Sequence, residues 1–168
     1  MTTPALEFSF EDLCREVRYA CLQGPGDPKE SEILDPYEFI SQPPILRRLG
    51  MWLGVQLEPE VNRLVAVGVS ALGLALAAGL EVNVPVAFVE SDRILGEFSA
   101  GDVVAVVADL TRTGASTRAT VEAVRSAGAR VAQILVVWDR SLGALDALSE
   151  LEVPVTVLME ERAHQVAK

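Results

Sequence analysis

Residues 103–137 read VVAVVADLTRTGASTRATVEAVRSAGARVAQILVV, and this stretch decides the fold class. Its ends are short apolar runs dominated by Val, bounded by turn residues, which is how strands buried on both faces read. Between them lies a polar, Thr-rich turn and a helical segment over residues 116–127 that stops at Gly128. Strand, helix, strand in that order is a βαβ unit, whose two strands run parallel with a right-handed crossover.

Working outward, the same alternation holds. Strands are expected near 64–68, 86–90, 103–108, 131–137 and 154–158, with helices near 71–80, 116–127 and 142–150. The predicted class is α/β: three layers, a mainly parallel β-sheet flanked by helices. Ligands of such sheets bind beyond the carboxyl ends of the strands, so the residues that matter are those just after each strand.

Before the sheet, residues 9–22 open with Ser-Phe-Glu-Asp, a capping-box pattern, and set Phe10, Leu13, Cys14, Val17 and Cys21 on one helical face. Residues 24–31 read as a polar loop and residues 33–41 as a short extended segment around Pro36-Tyr37-Glu38-Phe39. Pro43-Pro44 starts a second helix carrying Ile45, Leu46, Leu49, Trp52 and Leu53. The organisation expected is one domain over 1–168, with residues 1–57 packing on an α/β core at 58–160.

Composition narrows the function classes. A formal charge of −10 opposes nucleic acid and anionic lipid, and the basic residues cluster nowhere beyond Arg47-Arg48. Residues 64–80 form an uncharged run, but it is built from Gly, Ala and Ser as much as Leu and Val. It reads as strand, turn and helix rather than a membrane span. Cys14 and Cys21 are the two cysteines and suit reduced core positions, and the N-terminus lacks a basic segment followed by an apolar stretch, so the expected compartment is cytoplasmic. His164, the sole histidine, lies in a charged tail and suits no acid–base role; no His/Cys/Asp constellation suggests a metal site.

The chemistry concentrates after the third strand. Gly114, with the hydroxyls of Thr113, Ser116 and Thr117 at the start of a helix, forms an anion cradle in principle, and Asp109 stands where it would accept hydrogen bonds from ribose hydroxyls. Taken alone, the same residues read equally as a helix cap and a loop acid. Neither Gly-x-x-x-x-Gly-Lys-Ser/Thr nor Gly-x-Gly-x-x-Gly is present.

An apolar strand, an acid, Thr-Gly-x-Ser and a helix resemble the ribose-phosphate signature of type I phosphoribosyltransferases. Three more segments resemble the orotate phosphoribosyltransferase branch in the same chain order: Pro36-Tyr37, the pyrophosphate-loop-like Val67-Gly68-Val69-Ser70-Ala71-Leu72-Gly73, and Val136-Val137-Trp138-Asp139-Arg140. The resemblance covers about residues 33–160. It implies that Arg112, Thr113, Gly114, Ala115, Ser116 and Thr117 surround the 5′-phosphate, that Asp109 is the catalytic acid meeting the ribose, and that Ser70 and Ala71 lie by the pyrophosphate. Arg140 would present its planar fork to an orotate-like base. Lys29 stands near the place of a base-contacting lysine, where a solvated loop lysine is the simpler reading. The resemblance also implies phosphoribosyl pyrophosphate or a nucleoside monophosphate as ligand and Mg2+ only as companion of the pyrophosphate. With the apolar face of the first helix, it makes a homodimer the expectation.

The sequence departs from that pattern in three places. Ala108 replaces the first acid of a pair, Arg112 replaces a threonine, and the connection over residues 90–101, the hood of the family, is short and acidic, with Arg93 its one cation. Cations that meet a departing pyrophosphate normally dominate catalysis. Three functions therefore stay open on sequence alone: a transferase, completed by hood cations from another subunit, that moves ribose 5-phosphate to an orotate-like base; a non-catalytic module that binds nucleotide or phosphoribosyl pyrophosphate; and an interaction domain with an empty cradle.

Overall fold

The computed structural model describes residues 9–22, 36–140 and 143–160. The loop at 24–31, Lys29, residues 33–35 and His164 lie outside the described residues. The elements in chain order are α1 (Phe10–Leu22), α2 (Tyr37–Ile40), α3 (Pro43–Val55), β1 (Arg63–Val67), α4 (Leu72–Val82), β2 (Val86–Glu90), β3 (Arg93–Gly96), β4 (Val103–Thr111), α5 (Ala115–Ser126), β5 (Arg130–Asp139), α6 (Ala144–Ser149) and β6 (Val155–Glu160). The sheet order is β3-β2-β1-β4-β5-β6, parallel throughout except for β3, which runs antiparallel to β2.

Alternation along the strands sorts the core into two layers. Leu64, Ala66, Ala105, Val107, Leu135 and Val137 face α1, α3 and α4, while Val65, Val104, Val106, Ile134 and Val136 face α5 and α6. The sheet is thus covered on both sides, as its near-continuous apolar strands require. No described helix is long and apolar enough to cross a membrane, and the run at 64–80 is the expected strand, turn and helix.

Helix α1 starts as its sequence predicts, with the N–H of Asp12 donating to Ser9 Oγ at 3.3 Å. Its apolar face is not free for a partner: Leu13, Val17 and Cys21 are buried in the main core, so this face lends no support to a dimer. Neither cysteine is in a disulfide, and burial pushes the Cys14 thiol up. α3 and α4 touch closely because Gly50 faces Ala77, where an added Cβ would stand 2.8 Å from the Ala77 Cβ.

Two expectations are corrected. The segment around Pro36-Tyr37-Glu38-Phe39 is a helical turn, not extended. Pro36 already holds φ −63, and one turn puts Phe39 and Ile40 together in the core, whereas a strand would send them to opposite sides. The connection after β2 contains a strand that was not expected: Ile94 and Leu95 pair with β2 as β3, and the hairpin turns on Ser91 and Asp92 alone, at φ 48 and 65.

Candidate functional site

The strand order reverses between β1 and β4: the chain leaves β1 for β2 on one side and β4 for β5 on the other. At that switch point the carboxyl ends of neighbouring strands diverge into a crevice. The turn after β1, residues 68–71, enters it from one side and the turn after β4, residues 112–114, from the other.

Asp109 lies two residues before the end of β4 and is buried. Its Oδ1 accepts from the Leu110 N–H at 2.7 Å, but its Oδ2 is buried without a hydrogen-bond partner. Burial pushes the carboxyl above the usual carboxylate range; the Leu110 N–H and the nearby Ser70 hydroxyl pull it part of the way back. An orphaned buried carboxylate oxygen is costly, and such groups gather where a ligand completes them.

The cradle follows. Gly114 caps α5 at φ 75, and the first helical bond, from the Arg118 N–H to the Gly114 carbonyl, is 2.8 Å long. The amides of Ala115, Ser116 and Thr117 precede that bond and point out of the helix start, where the dipole favours an anion. The Ala115 N–H makes only a long contact with Thr113 Oγ1, 3.4 Å. Arg112, Thr113, Ala115 and Ser116 are exposed, so the Arg112 side chain does not fill the cradle. Thr117 is buried against the sheet side of α5, which leaves its backbone N–H, not its hydroxyl, to meet a ligand. The need for glycine at 114 is also more than ligand access: a Cβ there would stand 3.2 Å from the Ala144 carbonyl oxygen and from Leu148 Cγ.

Ser70 is half-buried beside Asp109, whereas the Ala71 side chain is fully buried in the core as the N-cap of α4, leaving that position its backbone only. Arg140 comes to the same end by direct pairing, because its N–H donates to the Thr111 carbonyl at 2.8 Å and Thr111 opposes Asp139. Its guanidinium lies 6.0 Å from the centre of the Trp138 ring. The structure therefore brings Ser70, Asp109, residues 112–117 and Arg140 to one edge of the sheet. Trp138 belongs there too, a residue that sequence reasoning quoted but gave no role. No group of three acids, histidines or cysteines fit to hold a metal occurs among the described residues. A groove of about 510 Å³ between α1, α2 and α3, lined by Arg15, Tyr19 and Gln42 among others, lies apart from these groups.

No family model matches the chain. It is 31% identical over 134 residues to the orotate phosphoribosyltransferase of Natronomonas pharaonis, covering 75% of this chain and 76% of that protein. It is 26% identical over 155 residues to the orotate phosphoribosyltransferase of Methanosarcina mazei, covering 87% and 83%. Among solved structures, the Mycobacterium tuberculosis orotate phosphoribosyltransferase in complex with 5-phospho-α-D-ribosyl 1-diphosphate shares the fold, with TM-score 0.76 and 20% identity over 90% of this chain and 95% of that one.

Proposed function

The chain belongs to the orotate phosphoribosyltransferase family, and on that premise we propose that it binds the ribose 5-phosphate part of phosphoribosyl pyrophosphate or of a nucleoside monophosphate and transfers it to an orotate-like base in pyrimidine nucleotide synthesis. The observation that carries this reading is the convergence of an orphaned carboxylate oxygen, an open helix N-terminus and an arginine at the carboxyl ends of the neighbouring strands β4 and β5.

The 5′-phosphate takes the amides of residues 115–117 and the hydroxyls of Thr113 and Ser116, with the exposed Arg112 beside it as a counter-charge. Asp109 Oδ2 accepts from a ribose hydroxyl and gains the partner it lacks. Ser70 and the backbone of Ala71 line the pyrophosphate side, and Arg140 faces the base. In transfer, a ring nitrogen of the base forms the bond to ribose C1 as the C1–O bond to pyrophosphate breaks; pyrophosphate leaves with the electron pair and the nitrogen's proton passes to solvent.

Mg2+ fits this donor set only as a companion of the pyrophosphate. A single carboxylate with one unpartnered oxygen cannot cage the ion, which would take its remaining ligands from water and phosphate oxygens. When bound it would offset charge on the leaving group. The hairpin in the place of the hood carries Arg93 as its one cation, so slow transfer is expected. The absence of a disulfide between Cys14 and Cys21 supports a cytoplasmic location, and exposed Leu76 and Leu80, one turn apart on α4, support a homodimer.

The test is isothermal titration with phosphoribosyl pyrophosphate plus Mg2+ and with orotidine and uridine monophosphates, followed by an orotate-consumption assay. Binding with turnover is expected. Binding without turnover would leave a nucleotide-binding module, and no binding would overturn the reading.

A further inference from the structure

We infer that Arg18, on the N-terminal helix, is a specificity-determining residue that selects a pyrimidine bearing a carboxylate. The inference rests on the phosphoribosyl reading above and deepens it at the base end of the same site.

Helix α1 lies against the carboxyl-terminal half of β5 and β6, with Cys14 Sγ 3.9 Å from the Leu158 carbonyl oxygen. One turn further along, Arg18 places its guanidinium carbon 6.0 Å from the centre of the Trp138 ring. Arg140 does the same from the end of β5, also at 6.0 Å. Trp138 opposes Leu110, the residue between Asp109 and Thr111, so the pair of arginines stands next to the ribose-phosphate end of β4.

Three features of this cluster point to an acceptor-rich ligand. First, two cations share one indole in a chain of net charge −10, where acids are plentiful enough to have separated them. Second, Arg15, Arg48, Arg63, Arg118 and Arg130 each pair with an acid, yet the exposed Arg18 forms no ion pair among the described residues. Third, the Trp138 indole N–H is buried and has no acceptor. Arg18 and the Trp138 indole N–H thus offer a positive charge and a donor with no acceptor among the described residues. A carboxylate on the base supplies what is missing, whereas an uncharged pyrimidine leaves Arg18 with the ring face alone.

The experiment compares dissociation constants for orotidine and uridine monophosphates, which differ in that carboxylate, on the wild-type chain and the Arg18→Gln and Arg18→Lys variants. Arg18→Gln is expected to weaken orotidine monophosphate about tenfold or more and to leave uridine monophosphate unchanged within about twofold, with Arg18→Lys between. An equal loss for both nucleotides, or no loss for either, would overturn the inference and leave the phosphoribosyl reading standing. Failure of the wild-type chain to bind either nucleotide would overturn that reading, and this inference with it.

Discussion

Replacing Asp109 by Asn should make the protein more stable at neutral pH while abolishing its ligand chemistry. Asn keeps an oxygen for the Leu110 N–H, 2.7 Å away in the wild type, and removes the charge from a buried site where Oδ2 has no partner. An unsatisfied buried polar group costs about 1–3 kcal/mol, more when charged; because the new amide also lacks a partner, a net gain of about 1 kcal/mol is expected. For a domain of this size that is a rise of about 2–4 °C in Tm. The sign of the pH dependence follows from the direction of the shift. Burial raises the folded-state value of Asp109 above its unfolded value, so the folded state holds the proton more tightly. Its stabilising contribution is complete below the unfolded value and is lost as pH rises through the folded one. The wild type and the variant should therefore be closest in acid and diverge as pH rises, measured by denaturant unfolding across the acidic to neutral range. A variant less stable at neutral pH, or a gap independent of pH, would refute the reasoning.

Gly114→Ala should cost about 1–3 kcal/mol, since φ 75 is strained for Ala and the new Cβ meets the Ala144 carbonyl and Leu148 at 3.2 Å. Gly143→Ala, at φ 85 with nothing within 4 Å of its Cβ, should cost less in the same urea titration. At the other end of the sheet, Arg63→Met should cost about 3 kcal/mol, because it leaves the buried Asp102 carboxylate, which now accepts from Arg63 Nε at 2.9 Å, with the Ser99 N–H and no counter-charge. Adding Asp102→Asn should recover part of that loss, and strictly additive effects in chemical denaturation would disprove the coupling.

Sequence periodicity by itself determined the βαβ units, the mainly parallel sheet and the place of the turn at 112–114 that opens α5. Those features follow from local patterns, namely Val-rich runs, the glycine at 128 past α5 and a hydroxyl-rich turn at a helix start. It also located Ser70, Asp109 and Arg140 as residues just after or at the ends of strands. Strand β3 stayed hidden because Arg93-Ile94-Leu95-Gly96 is too short to show a period, and its pairing with β2 depends on a partner strand. The helical turn at Tyr37–Ile40 was hidden for a similar reason, since burying Phe39 and Ile40 together depends on α1 and α3. Only the tertiary structure turned Ala71 and Thr117 inward, left Asp109 Oδ2 without a partner and carried Arg18 onto Trp138. Burial, an unmet hydrogen bond and a contact across the chain are properties of packed neighbours, and no single segment encodes them.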